Sequence, residues 1–383
     1  MKNDRRKFLI DSAKTAALLS LPAWVTACGP GKDSPAGDAL LPEEDLATLK
    51  SKTDKKLGVA LIGLGYYSTD LLAPALQLTK YCELRGIVTG SPEKIPVWQE
   101  RHGIATESVY NYENIGTIFN NPEGDVMYLG TQTAPHAKFA IPAAETGKHV
   151  WGEKPMGMDV KECQSIIDAC KMNGVKLSLG YRMQHEPNTR TLINYAESKP
   201  YGEMKDLISQ AGFAGSPPTN GWRSKPEMGG GAMYDMGVYT INGLRYATGL
   251  EPIAVRNAKR TFPDGVNVDV TTAYELIFPN DITAQGRTSI VEDINLLRVN
   301  CEKGWYELSP MQAYNGVTGR TSDGKLLDMP IQNQQARQMD DDSLAIINNT
   351  PVMVPGLEGL RDIRVVQAIK ESAANGGKEV RIG

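Results

Sequence analysis

The sequence predicts an α/β protein in two parts. A doubly wound parallel sheet comes first, followed by a second α/β domain on a predominantly antiparallel open sheet. Three observations carry that expectation. Short apolar runs alternate with helical patterns over residues 57–179, the rhythm of strand–helix–strand units. The first run ends in Gly63-Leu-Gly-Tyr-Tyr-Ser68, a glycine turn that opens a helix. After Tyr181 the rhythm gives way to long strand-like segments joined by turns such as Pro279-Asn-Asp and Lys303-Gly304. The boundaries expected are 57–180 for the first domain and 181–383 for the second, after a linker over 29–56.

Each element has its own signal. Gly58-Val-Ala-Leu-Ile62 is a short apolar run before a glycine turn, as a buried parallel strand would be. A helix is expected over 68–79, a strand over 82–88, a helix over 93–102 and a strand over 125–129. Residues 135–146 read as a helix stopped by Gly147, and 149–151 as a strand. Asp159 with Glu162 three residues on forms a capping box, and Val160, Cys163, Ile166, Ile167 and Cys170 make the apolar stripe of that helix. Residues 176–179 close the series. In the second part, 268–278 and 296–308 read as strands and 356–374 as a closing amphipathic helix.

A hydrophobic fraction of 41% with 22% charged residues describes an ordinary globular chain, and a net charge of −4 argues against a nucleic-acid surface. The first 28 residues read as a leader rather than part of the fold. Arg5-Arg6-Lys7-Phe8-Leu9 supplies a twin arginine, and residues 15–27 a mildly apolar stretch. Val25-Thr26-Ala27-Cys28 resembles a lipoprotein processing site with Cys28 as the lipid-bearing residue. This pattern predicts twin-arginine export and membrane contact only through a lipid anchor on the periplasmic side. That route carries folded proteins, and free nicotinamide nucleotides are scarce outside the membrane, so a cofactor acquired inside has to be held tightly. Residues 43–51 are expected to form a short helix within the linker. Of the five cysteines, Cys163 and Cys170 lie roughly 10 Å apart on one helix, beyond disulfide reach, and Cys82 and Cys301 sit in strand-like surroundings. All four are read as free thiols. The four histidines show no metal-ligand spacing.

The glycine motif reads as a dinucleotide fingerprint. Gly63 permits the tight turn, Gly65 lets the backbone approach a pyrophosphate, and Tyr66 and Tyr67 follow at the start of the helix. Ser68 stands where a third small residue is usual and still allows close helix–strand packing. The second strand ends Val88-Thr-Gly-Ser-Pro-Glu-Lys94, with no acid at its tip to hold ribose hydroxyls. Thr89 and Ser91 can donate hydrogen bonds and Lys94 can approach a 2′-phosphate, which favours NADP over NAD. Lys154 follows the strand at 149–151, beyond its carboxyl end, where open α/β sheets bind ligands. Asp235 and Tyr239 follow Gly229-Gly-Gly231 and share one face of a helix at i and i+4. Lys154, Asp235 and Tyr239 are the expected catalytic group. A lysine cation beside a phenol favours its ionised form, so Tyr239 can exchange a proton with a hydroxyl while Asp235 orients the sugar or the lysine.

Together the fingerprint, Glu153-Lys-Pro155, Gly180-Tyr-Arg182 and Gly229-Gly-Gly231…Asp235-x-Gly237-x-Tyr239 resemble the glucose–fructose oxidoreductase and inositol dehydrogenase (Gfo/Idh/MocA) family. Asn220-Gly-Trp-Arg223 and Glu358-Gly-Leu-Arg-Asp362 place the chain nearest the glucose–fructose oxidoreductase branch. The resemblance implies a Rossmann domain, a second domain whose sheet serves as an oligomer interface, and hydride transfer to or from a sugar or polyol. It implies that Tyr239 is the acid/base and that Lys154, Arg182, Asp235 and Tyr239 meet the substrate. Thr131 and His136 would pass the cofactor, and Glu153 and Lys154 would lie near the nicotinamide ribose. Trp222 and Arg223, with Tyr314 on the same rim, would border the nicotinamide. His185 and Glu186, just after Arg182, are further candidates to face the substrate. The sequence departs from the family at Thr131-Gln-Thr133, where many members carry Thr-Pro-Asn, and at Tyr239, where many inositol-type members carry His.

The leading expectation is an NADP-dependent sugar oxidoreductase with a retained cofactor and a homo-oligomeric state. The alternative is an NAD-dependent glycoside hydrolase that works by transient oxidation and elimination. Relatives of that kind often carry His where this chain has Lys154, which argues against it. A third reading, an anchored protein that binds nucleotide only structurally, conflicts with the intact Lys, Asp and Tyr set.

Overall fold

The computed structural model describes residues 55–383. The leader, Cys28, and the helix expected over 43–51 lie outside the described residues. From Leu57 the chain builds a six-stranded, all-parallel sheet in the order β3-β2-β1-β4-β5-β6. Its strands are β1 (Leu57–Ile62), β2 (Cys82–Val88), β3 (Val109–Tyr110), β4 (Val126–Leu129), β5 (His149–Gly152) and β6 (Leu177–Leu179). β3, only two residues long, carries no readable periodicity and was not expected. The central strands are apolar along both faces because both are covered. Ala60, Ile62, Met127, Leu129 and Val150 face one core, whereas Val59, Leu61, Ile87, Val126, Tyr128 and Trp151 face another.

The helices on this sheet start where the sequence expected them, with local corrections. The first begins as a π-helical turn, Tyr67–Leu72, before α1 (Ala73–Leu76). Helices α2 (Ile95–His102), α3 (His136–Glu145) and α4 (Val160–Met172) follow. Asp159 caps α4 by accepting from the Glu162 amide at 2.8 Å; the Glu162 carboxylate returns the bond to the Met158 amide rather than to Asp159. Cys82, Cys163, Cys170 and Cys301 are free thiols. Burial pushes Cys82, Cys163 and Cys170 up to about 12, so none is a ready nucleophile.

After α5 (Pro187–Ser198) a nine-stranded sheet forms from β7 (Met204–Gly212), β8 (Ala254–Thr261), β9 (Thr271–Ile277), β10 (Thr283–Ser289), β11 (Asn295–Cys301), β12 (Gly304–Leu308), β13 (Gly319–Thr321), β14 (Leu326–Leu327) and β15 (Val380–Arg381). β7 and β10 pair in parallel and the other ladders are antiparallel. Helix α6 (Val238–Thr248) is buried along its whole length against this sheet. Two later helices return to the first sheet. α7 (Gln334–Asn348) packs on α1 and β2, with Ala336 and Met339 in the second core. α8 (Gly356–Ala374) packs between α4 and β8. The parallel sheet is therefore covered partly by chain from beyond residue 330.

Candidate active site

A cleft of about 270 Å³ opens beyond the carboxyl ends of β1, β4 and β5, where the strand order reverses. Gly65, Tyr66 and Tyr67 form its first wall, with Gly63 and the buried Ser68 shaping the turn behind them. Gly63 sits at φ +90°, and a Cβ there would stand 2.7 Å from Thr131 Cγ2, so only glycine closes this turn. A Cβ on Gly65 would point into open space in the cleft, which leaves its backbone free for the close approach of a large anion. Ser68 is buried, and its hydroxyl donates to the Gly63 carbonyl at 2.6 Å. The small residue it packs against is Gly130, whose Cβ would collide with Ser68 Oγ.

The end of β2 separates its three expected contacts. Thr89 is 4% exposed, and its hydroxyl accepts from the Ser91 amide at 3.0 Å. Thr89 therefore shapes the turn, and Ser91 and Lys94 are left nearer the surface. Lys94 Nζ donates to the Leu64 carbonyl at 2.7 Å, which ties the tip of β2 to the glycine turn and sets a cation at the cleft edge.

The opposite wall comes from the second domain. Gly231, at φ +97°, turns the chain so that the Met233 amide meets the buried Asp269 carboxylate at 3.0 Å. A π-helical turn, Met233–Gly237, then leads into α6. The sequence expected an α-helix with Asp235 and Tyr239 on one face. The wider turn still leaves both lining the cleft but aims them differently. Lys154 reaches across from β5, and its ammonium donates to the Asp235 backbone carbonyl at 2.9 Å while standing 4.4 Å from the Tyr239 ring centroid. The Asp235 carboxylate is turned away to Arg223 Nε, 2.7 Å distant, and Arg223 stacks on Trp222 at 4.5 Å. Asp235 thus holds the lysine through its carbonyl and the arginine through its side chain.

Four further expected contact residues are buried and do not line the cleft. Arg182 is 1% exposed and does not line the cleft. Its guanidinium bonds Ala313 O and Gln334 Oε1 and lies behind the rings of Tyr314, at 4.4 Å, and Tyr239, at 5.6 Å. His136 is buried between the Met156 and Thr131 carbonyls, each 3.3 Å from a ring nitrogen. Burial holds it below the usual histidine range and hence neutral. His185 and Glu186 face α7 and the α5 N-terminus, with Asp341 at 2.9 Å and the Thr189 amide at 2.6 Å. Cleft-lining residues that sequence reasoning missed are Gly130, Gln132, Thr133, Pro155, Gly229 and Tyr234. Of these, Gln132 and Thr133 had stood out in sequence only as a departure from the family's Thr-Pro-Asn.

Glu153 is the buried carboxyl of the cleft. Tyr128 Oη donates to it at 2.8 Å. Burial pushes it up to about 7, against the opposing pull of the Tyr128 bond and the Lys154 and Arg182 cations. Enclosure of Tyr67, followed by the nearby Glu153 and Tyr239, drives that phenol well above its usual value, and Tyr314 is raised by burial and by Tyr239.

A parallel sheet in this order, a glycine turn open to an anion, and a Lys–Tyr pair across the cleft define a nicotinamide-dinucleotide oxidoreductase. Residues 57–181 match the oxidoreductase family with an NAD-binding Rossmann fold, GFO_IDH_MocA, and residues 189–307 match the GFO/IDH/MocA C-terminal domain. The chain belongs to that family. Among solved structures it is similar to the aldose-aldose oxidoreductase of Caulobacter crescentus, crystallised with glycerol. That likeness has 34% identity and a TM-score of 0.81, and spans 85% of this chain and 100% of that one. It is 24% identical to the D-xylose 1-dehydrogenase [NADP(+)] of Haloarcula marismortui over 85% of this chain and 93% of that one. A levoglucosan dehydrogenase in complex with NADH and levoglucosan shares the fold at 19% identity and a TM-score of 0.74, over 86% of this chain and 100% of that one.

Proposed function

We propose that this protein is an NADP-dependent sugar oxidoreductase that keeps its nucleotide and alternates between oxidising one sugar and reducing another. The observation that carries the reading is the Lys154–Tyr239 pair, an ammonium over a phenol ring at the mouth of a glycine-turn cleft. The full-length similarity to an aldose-aldose oxidoreductase supports the two-sugar cycle, and the NADP-linked xylose dehydrogenase supports the cofactor. The nicotinamide, when bound, accepts or returns a hydride. Tyr239 takes the proton from the sugar hydroxyl during oxidation and gives one to the carbonyl during reduction. The Lys154 charge stabilises negative charge developing on the Tyr239 oxygen during transfer, and its bond to the Asp235 carbonyl keeps it over the ring. Lys94 and Ser91 would meet the adenosine phosphate end, and Trp222, Tyr66 and Tyr314 offer aromatic faces to sugar or nucleotide.

The twin-arginine pattern and Cys28 support export to the periplasmic side and a lipid anchor, and the open second sheet supports a homo-oligomer. A protein outside the nucleotide pool needs its cofactor regenerated in place, which is what a two-sugar cycle does. The test is to denature the purified protein and measure the released nucleotide by mass spectrometry and absorbance, before and after soaking in D-glucose, D-xylose and other aldoses. Stoichiometric NADP that becomes reduced with an aldose is the expected result. Protein purified empty overturns cofactor retention, and NADP that stays oxidised with every sugar overturns the activity.

A further inference from the structure

A retained cofactor creates a second storage problem besides the hydride. Oxidising an alcohol to a carbonyl releases one proton with each hydride, and the later reduction takes one back. The cleft contains a group built to hold it. Of the two carboxyls that line the cleft, Asp235 is engaged by Arg223, whereas Glu153 has no ion pair within 4 Å among the described residues. Glu153 stands at the end of β5, 7% exposed, pressed by the end of β6 so closely that a Cβ on Gly180 would fall 2.5 Å from Glu153 Oε1. From β4, Tyr128 donates to it, and behind Tyr128 stand Gln338 and Asp342 of α7. On the cleft side it faces the phenols Tyr67 and Tyr314, with Lys154 beside it and Arg182 behind. Tyr67, Tyr239 and Glu153 line the same cleft.

We propose that Glu153 stores the substrate proton between the two halves of the cycle, receiving it from Tyr239 across the cleft that both line. The inference rests on the retained-cofactor reading above. In the first half the sugar's C–H bond breaks with its electron pair, which leaves as hydride for the nicotinamide. The O–H bond breaks and its proton passes to the Glu153 carboxylate, so the sugar is oxidised and no proton leaves the protein. In the second half the acceptor carbonyl takes the hydride at carbon and the Glu153 proton at oxygen. Were a nicotinamide held in this cleft, loss of its positive charge on reduction would raise the proton affinity of Glu153, which lines it.

The experiment is a half-reaction on the full chain loaded with NADP, with D-xylose or another aldose found to reduce it. Hydride transfer is read from nicotinamide absorbance and proton release from an indicator dye in weak buffer. The pH is set just above the Glu153 titration, so that the carboxylate starts ionised. Wild type should release well under one proton per nicotinamide reduced, and Glu153→Gln close to one. In reduced-minus-oxidised infrared difference spectra, wild type labelled with carbon-13 glutamate should show a shifted carboxylic-acid carbonyl band that is missing from Glu153→Gln, and its absence from wild type overturns the storage role even if the variant fails to fold. A full proton released by wild type, equal release from both proteins, or no acid band overturns the storage role. A dye signal without any nicotinamide reduction would instead overturn the oxidoreductase reading.

Discussion

Replacing Lys154 with methionine keeps the length of the side chain and removes its charge. The ammonium stands 4.4 Å from the Tyr239 centroid, so its path to the phenol oxygen is roughly 5 Å. At the effective dielectric that suits a partly enclosed site, a unit charge at that distance stabilises a developing phenolate by about 3 kcal/mol. A barrier change of that size corresponds to roughly 10²-fold in rate. The expected result is a hydride-transfer rate about two orders of magnitude lower for Lys154→Met at saturating sugar. The fold should be unchanged, because the lost bond to the Asp235 carbonyl is one neutral acceptor at the cleft edge. The assay is single-turnover reduction of bound nucleotide by stopped-flow absorbance, with a thermal melt as control. A rate within threefold of wild type would refute the assignment of Lys154 as the electrostatic partner of Tyr239.

Three further outcomes follow from the same geometry. Lys94→Ala should loosen the glycine turn at Leu64 and lower the preference for NADP over NAD by about tenfold, or ~1.4 kcal/mol, in fluorescence titrations of both nucleotides. Arg245→Met should destabilise the protein by about 3–5 kcal/mol in denaturant melts. It strands the fully buried Asp362, 2.5 Å away, along with Glu251 and Glu358 at 2.7 and 3.1 Å. That cost should be smaller below about pH 7, where burial already lets Asp362 take a proton. Asp342→Asn should stabilise at neutral pH. Burial raises this carboxyl from 3.8 to about 6, so the stability it contributes is complete below its unfolded value and is lost as pH rises through 6. The gap in Tm between variant and wild type should therefore open from pH 4 to 6 and then level off; a gap that opens below pH 4 would reverse the sign.

Much of the first domain is legible because its strands are buried on both faces and read as plain apolar runs. β2 and α8 are found to the residue, at Cys82–Val88 and Gly356–Ala374. Legibility fails where burial is polar. α7 presents Gln334, Gln338 and Asp342 at i, i+4 and i+8, all 1% exposed or less, so one of the faces it buries is polar and carries no hydrophobic period. Its partners explain the choice: Gln334 bonds the Ala313 carbonyl, Gln338 the Tyr128 hydroxyl, and Asp342 accepts from Ser178. None of those is a neighbour in sequence. In the cleft, residue types and positions were readable, but orientation was not. Motifs named Asp235 and Arg182, yet only the fold shows one turning its carboxylate to Arg223 and the other lying behind two rings.

The same polar helix accounts for how the site stays rigid without a rigid element of its own. Lys154 and Glu153 leave the end of β5, and Tyr239 arrives 85 residues later on α6. Tyr314 comes from a loop after β12. Each would be free to drift with its segment. Gln334 and Arg182 together grip Ala313, the residue before Tyr314, while Gln338 backs Tyr128 and hence Glu153. α7 therefore touches two sides of the cleft from behind through hydrogen bonds, which have direction, where apolar packing would fix only distance. Buried polar contacts contribute little net stability for the desolvation they require, so their concentration behind the cleft is better explained by positioning than by stability. Loss of one of them, as in Gln338→Leu, should then slow hydride transfer more than it lowers Tm.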